Sequence, residues 1–71
     1  MNRLAKHIKE RRIDSALSQV EMAKRIGISN VTLCKIETGH KIGSRVIRKL
    51  SAFFNISTRD LRSLMEDEDN E

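Results

Sequence analysis

The chain contains no proline, tryptophan or tyrosine, and it has only three glycines and two phenylalanines. Because tight turns depend on proline and glycine, this scarcity argues against a β-sandwich or β-barrel, which needs many such turns. The 71 residues suffice for one small domain, and 38% of them are hydrophobic. Its core must therefore be built mainly from aliphatic side chains, and an all-helical domain is favoured.

Cysteine and histidine are also scarce. The single cysteine, Cys34, excludes an internal disulfide and any zinc site built from several cysteines. His7 and His40 stand alone in the sequence, so no metal or cofactor is expected. With no second cysteine to pair with, Cys34 is expected to be a small packing residue rather than a redox switch.

Long apolar runs are missing as well. No stretch approaches the roughly 18 apolar residues of a membrane span. The N-terminus lacks the apolar segment of a signal peptide. The sequence therefore predicts a cytoplasmic protein with no membrane association.

Charge is unevenly distributed. The formal net charge is +4, but five of the ten acidic residues lie within residues 66–71. Residues 1–65 carry fourteen basic and five acidic residues, a balance of +9. Such a domain favours a polyanionic partner, with nucleic acid ahead of an anionic membrane and plain solubility as the alternative. We expect one domain over residues 1–65 and a disordered acidic tail over residues 66–71.

Apolar residues recur at helical spacing in five segments, which predicts five short helices. Their approximate ranges are 3–13, 18–27, 30–38, 45–54 and 57–65. Serines are placed to cap the later four, with Glu21 and Asp60 completing capping-box spacings; these serines are Ser18, Ser29, Ser44 and Ser57.

The central segment, residues 18–39, contains two short helices joined through Gly27, Ile28 and Ser29. So short a turn makes the helices cross steeply, near the angle of a helix-turn-helix. Leu33 and Ile36 are the only clear core positions of the second of these helices. Its remaining face is polar or small, which suits a helix that enters a groove of DNA.

These residues resemble the helix-turn-helix core of the phage repressor and Cro family (XRE-like regulators), over about residues 3–62. The matching elements are Leu17-Ser18-Gln19, Ala23, Gly27 and Ser29, followed by Ile36-Glu37-Thr38-Gly39. The resemblance implies an all-α, five-helix lambda-repressor-like DNA-binding domain. Two residues depart from the family pattern: Gly43 stands where many members carry proline, and Cys34 is unusual on a recognition helix.

The resemblance also implies roles for residues that contact DNA. Gln19 matches the glutamine that bonds a phosphate and braces the recognition helix. Asn30 and Val31 match the principal base-reading positions, where an amide can bond adenine and an apolar side chain can contact a thymine methyl. Thr32 and Lys35 are next in reach of the bases or phosphates.

Further positions match residues that grip the DNA backbone or hold the domain together. Lys41 and Arg45 match backbone clamps, and Ser29 belongs to the same DNA-facing set through the helix N-terminus that it caps. Arg12 and Glu37 match a pair that forms an internal salt bridge, which positions the first helix against the recognition helix.

A homodimer is expected, because one recognition helix covers too few base pairs for useful specificity in a genome. Two-fold symmetry predicts a palindromic operator in double-stranded DNA. The proposed dimer surface consists of Phe53, Leu61, Leu64 and Met65, with closure of the bundle as their alternative role.

The sequence therefore predicts a transcriptional regulator, most simply a repressor, and not an enzyme. Neither a carboxylate pair nor a Ser/His/Asp set nor a phosphate-binding loop is evident in the sequence. Three settings remain open: a phage or mobile-element repressor, a restriction–modification controller that also activates, and an antitoxin. An interaction module that binds a toxin or RNA polymerase, with DNA secondary, is the alternative from another class.

Overall fold

The computed structural model describes residues 2–66, which form five helices and no β-strand. The helices are α1 (Arg3–Asp14), α2 (Gln19–Ile26), α3 (Asn30–Glu37), α4 (Ser44–Phe54) and α5 (Thr58–Glu66). The predicted all-α, five-helix fold is thereby confirmed. The tail predicted for residues 66–71 lies outside the described residues, apart from Glu66, which ends α5.

The start of α2 shows the predicted capping box. The Glu21 amide donates to Ser18 Oγ at 3.1 Å, and the Ser18 amide donates to Glu21 Oε1 at 2.9 Å. The Ser18 amide and hydroxyl stabilise the charged carboxylate and lower the pKa of Glu21. The helix ends at Gly27, whose φ of 92° is the left-handed conformation that glycine adopts most easily.

The start of α4 differs from the prediction. Gly43 is the N-cap, with no side-chain cap, and Ser44 is already the first helical residue. A cap needs an extended backbone, which Gly43 has at φ −83° and ψ 172°. The Ser44 hydroxyl instead accepts a hydrogen bond from Arg62 Nη2 at 3.3 Å, which joins the start of α4 to α5.

The core lies where all five helices meet and is aliphatic except for Phe54. Its most deeply buried side chains include Ile8 of α1, Leu33 of α3 and Leu50 of α4. Leu61 of α5 is 0% exposed in the same core. This corrects the assignment of Leu61 to a dimer surface, because the side chain has no accessible area left to offer a partner.

Candidate nucleic-acid interface

The turn between α2 and α3 is held by its own backbone. Gly27 N and Ile28 N both donate to the Ala23 carbonyl, at 2.9 and 3.0 Å. Ser29 then caps α3, where its Oγ accepts from Thr32 N at 3.0 Å. The chain thus passes from one helix to the next through a hydrogen-bonded turn of three residues.

Helix α3 has two distinct faces. Leu33 and Ile36 are buried in the core, whereas Asn30, Val31 and Lys35 are exposed. Val31 is 63% exposed, an unusual position for a β-branched apolar side chain. The first turn of α3 therefore presents one amide and one apolar group to the surroundings.

Cys34, in the second turn of α3, is also exposed. This corrects the expectation that Cys34 is a small packing residue, because Leu33 and Ile36 fill the inward face of the helix without it.

Two hydroxyl groups stand at the base of that turn. Ser29 Oγ and Thr32 Oγ1 lie 2.8 Å apart, so one donates to the other. Ser29 is exposed and Thr32 half-buried. The cap of α3 and the third side chain of the expected base-reading set therefore form one hydrogen-bonded unit.

A buried carboxylate joins α1, α2 and α3. Glu37, 5% exposed, accepts from Arg12 Nε at 2.8 Å and from Arg12 Nη2 at 3.2 Å. Gln19 Nε2 donates to the same carboxylate at 3.2 Å. The hydrogen bonds to Glu37 raise the pKa of Arg12. Arg12 and Glu37 thus form the expected pair, and Gln19 braces α3 through it.

Arg12 also reaches the loop before α2. Its Nη1 donates to the Leu17 carbonyl at 3.1 Å. A planar guanidinium with five donors can make all of these contacts at once, which a lysine ammonium cannot do with the same geometry. One side chain therefore holds the end of α1, the entry to α2 and the end of α3 together.

Hydrogen bonds hold the start of the loop after α3. The His40 amide donates to the Lys35 carbonyl at 3.0 Å, and Thr38 Oγ1 lies 2.9 Å from His40 Nδ1. These contacts fix the backbone as far as His40, directly before the exposed Lys41. Arg45, exposed in the first turn of α4, follows the same loop.

Nearly all the charged residues between positions 22 and 59 are basic. Residues 22–59 contain eight basic residues and a single acidic one, Glu37. Because Glu37 is buried against Arg12, its charge is neutralised within the domain. On α3, the following loop and the start of α4, the exposed charged side chains are Lys35, Lys41 and Arg45, so this surface is positively charged and attracts a polyanion.

Asn2 and Lys49 make contacts that the sequence does not predict. Asn2 caps α1, accepting from Ala5 N at 2.8 Å, and its Nδ2 lies 3.5 Å from the Gly39 carbonyl. Lys49 of α4 donates from Nζ to the Gly27 carbonyl at 2.7 Å. An asparagine ahead of an apolar run is a recognisable cap signal, but nothing in the pattern separates Lys49 from the other basic residues of α4.

A helix-turn-helix family model matches residues 8–61 of the chain. No curated protein and no solved structure matches it. None of the helices between residues 2 and 66 is long and apolar enough to cross a bilayer. Over the same residues, no group of three or more His, Cys, Asp or Glu is arranged to hold a metal ion.

Proposed function

The chain belongs to the helix-turn-helix family of Cro/repressor-like DNA-binding transcription regulators, and on that premise we propose a repressor that binds a palindromic operator as a homodimer. The observation that carries this proposal is the exposed first turn of α3, which lies beside a surface of uniform positive charge. An exposed valine and asparagine at a helix N-terminus contribute little to the fold, but they suit contact with base edges.

Each of the first exposed side chains of α3 suits a particular contact in the major groove. The Asn30 amide can donate to and accept from one adenine, and the Val31 methyl groups can pack on a thymine methyl. Thr32 and Lys35 follow within reach of the next base or phosphate. In this proposal α3 is the recognition helix.

Residues around the recognition helix supply the grip on phosphates. Gln19 uses one amide hydrogen on Glu37, which leaves the second for a phosphate oxygen. Lys41 and Arg45 place cations on the following loop and helix start. Ser29, with the free amides at the start of α3, completes a site that favours an anion.

The dimer is proposed to form through one apolar surface, defined as Phe53, Leu64 and Met65. Phe53 is 39% exposed, and its ring meets Phe54 edge-on with centroids 4.9 Å apart. Leu64 and Met65 are half-buried at the margin of the core. Pairing across this surface would remove apolar area from water that one chain alone leaves exposed.

The dimensions of the domain suit such a dimer. Its principal extents are 30 × 24 × 20 Å. Two copies side by side can place their recognition helices about 34 Å apart, one turn of DNA, on one face of the duplex. Occupancy of a promoter by such a dimer is sufficient for repression, because it excludes the polymerase.

Selection of bound duplexes from a random DNA pool tests the proposal. We expect enrichment of a palindrome whose half-sites are separated by about 10 base pairs. The double variant Asn30→Ala, Val31→Ala serves as the control and should enrich no common sequence. An enriched site without two-fold symmetry would contradict the dimer, and enrichment of no sequence by the wild type would contradict sequence-specific regulation.

A further inference from the structure

Lys49 connects α4 to the turn that precedes the recognition helix. Its Nζ donates to the Gly27 carbonyl at 2.7 Å, across 22 residues of sequence. The side chain also covers the glycine: Nζ and Cδ lie 3.9 and 4.0 Å from the position that a Cβ on Gly27 would occupy. Polar and apolar parts of one half-buried lysine therefore hold the same turn.

The Gly27 carbonyl lies at the C-terminus of α2, where a cation is favoured. Carbonyl groups at a helix C-terminus lack intrahelical partners and carry partial negative charge. Gly27 is the C-cap of α2, and an ammonium in contact with its carbonyl satisfies that acceptor. The same peptide leads into Ile28, and Ser29 starts α3 immediately afterwards.

We propose that Lys49 is a positioning residue for base recognition, which fixes the direction in which α3 leaves the turn without itself contacting DNA. This role rests on the proposed function. Rotation of the Gly27–Ile28 peptide would swing Asn30 and Val31 relative to the bases, whereas the bond to Lys49 holds that peptide against α4. An error of about 1 Å in such an arrangement is enough to lose a directional hydrogen bond to a base.

Burial separates Lys49 from its neighbours on α4. Arg45 and Arg48 are exposed, while Lys49 is half-buried with its ammonium already engaged. A lysine that contacted a phosphate would add the same affinity for every DNA sequence. It would also add to the salt dependence of binding. A positioning lysine contributes mainly to the preference for the operator over other DNA.

The test compares Lys49→Met and Lys49→Arg with Arg48→Met, which removes one charge from the adjacent position. Binding is measured on the selected operator and on a random duplex at several salt concentrations. We expect Lys49→Met to lose about tenfold on the operator, a loss the size of one charged hydrogen bond. On the random duplex it should match Arg48→Met within about twofold, and Lys49→Arg, which keeps a donor, should regain most of the operator affinity.

A second readout needs no DNA. Amide hydrogen exchange of Ile28 and Thr32, both bonded within the turn and cap, should be several-fold faster in Lys49→Met than in wild type. The amide of Ile8, buried in α1 and remote in sequence from the substitution, reports global unfolding and should exchange at the wild-type rate. Faster exchange at Ile8 by the same factor would overturn the proposal, because Lys49 would then act on stability alone.

The outcomes separate this role from the proposed function. Equal losses by Lys49→Met on operator and random duplex, with a smaller salt slope, would make Lys49 a phosphate contact and overturn the positioning role alone. Unchanged exchange at Ile28 and Thr32 would overturn it too. A wild-type chain without sequence preference would overturn the proposed function, and this role with it, whatever the exchange data show.

Discussion

At the scale of single residues, Asn30 and Lys41 are proposed to bind DNA in different ways. Asn30 stands at the exposed start of α3, and Lys41 on the loop after it. An amide that bonds a base distinguishes sequences, whereas an ammonium near a phosphate attracts any duplex. The two side chains should therefore affect specificity and general affinity separately.

Alanine substitutions should show this division. Asn30→Ala should cost about 1–3 kcal/mol on the operator and much less on random DNA. Lys41→Ala should weaken both complexes alike and reduce the slope of log affinity against log salt by about one. Fluorescence anisotropy titrations at several salt concentrations measure both quantities. Equal behaviour of the two variants on both duplexes would contradict the assigned roles.

At the scale of helices, the cluster of Arg12, Gln19 and Glu37 determines how α1, α2 and α3 meet. The Glu37 side chain is 4% exposed and that of Arg12 16% exposed, so the pair has lost much of its hydration. Removing one partner leaves the other charge poorly solvated, whereas removing both costs much less. The cluster thus contributes more to the arrangement of the helices than to net stability.

A double-mutant cycle tests this interpretation. Glu37→Gln and Arg12→Met should each lower the free energy of unfolding by about 1–3 kcal/mol. The double variant Arg12→Met, Glu37→Gln should lose less than the sum of the two single changes. Urea denaturation followed by circular dichroism provides the three values. Strict additivity would mean that the two side chains act independently in spite of their 2.8 Å contact.

The helical elements also show where sequence reasoning succeeds and where it does not. The capping box of Ser18 and Glu21 and the stop at Gly27 were predictable because each depends on residues at most four apart. The sequence predicts the start of α4 one residue late because a serine is the stronger cap by type, although Gly43 supplies the cap through backbone conformation alone.

Long-range contacts were not predictable for a physical reason. The bond from Lys49 to Gly27 depends on how α4 packs across α2, which periodicity along one helix does not determine. The sequence places Leu61 on a dimer surface for a similar reason. Helical spacing identifies the apolar face of α5, but not whether α1 and α4 or a second chain cover each residue on it.

At the scale of the whole molecule, the proposed dimer rests on one exposed apolar surface. Phe53 is the proposed centre of the dimer surface, with Leu64 and Met65 on α5. Val20 is 48% exposed on α2 and lies outside the proposed surface. The two positions therefore offer a matched comparison of apolar exposure inside and outside the interface.

A lysine introduced at position 53 should weaken the dimer, whereas a lysine introduced at position 20 should not. Phe53→Lys should raise the dimer dissociation constant by roughly thirtyfold, the effect of about 2 kcal/mol at a central interface residue. Val20→Lys adds the same charge and should leave the dissociation constant within about twofold of wild type, because exposed substitutions away from an interface have small effects. Sedimentation velocity over a dilution series, with and without operator DNA, measures both. A wild-type chain that stays monomeric at micromolar concentration in both conditions would remove the dimer, and equal shifts in the two variants would place its surface elsewhere.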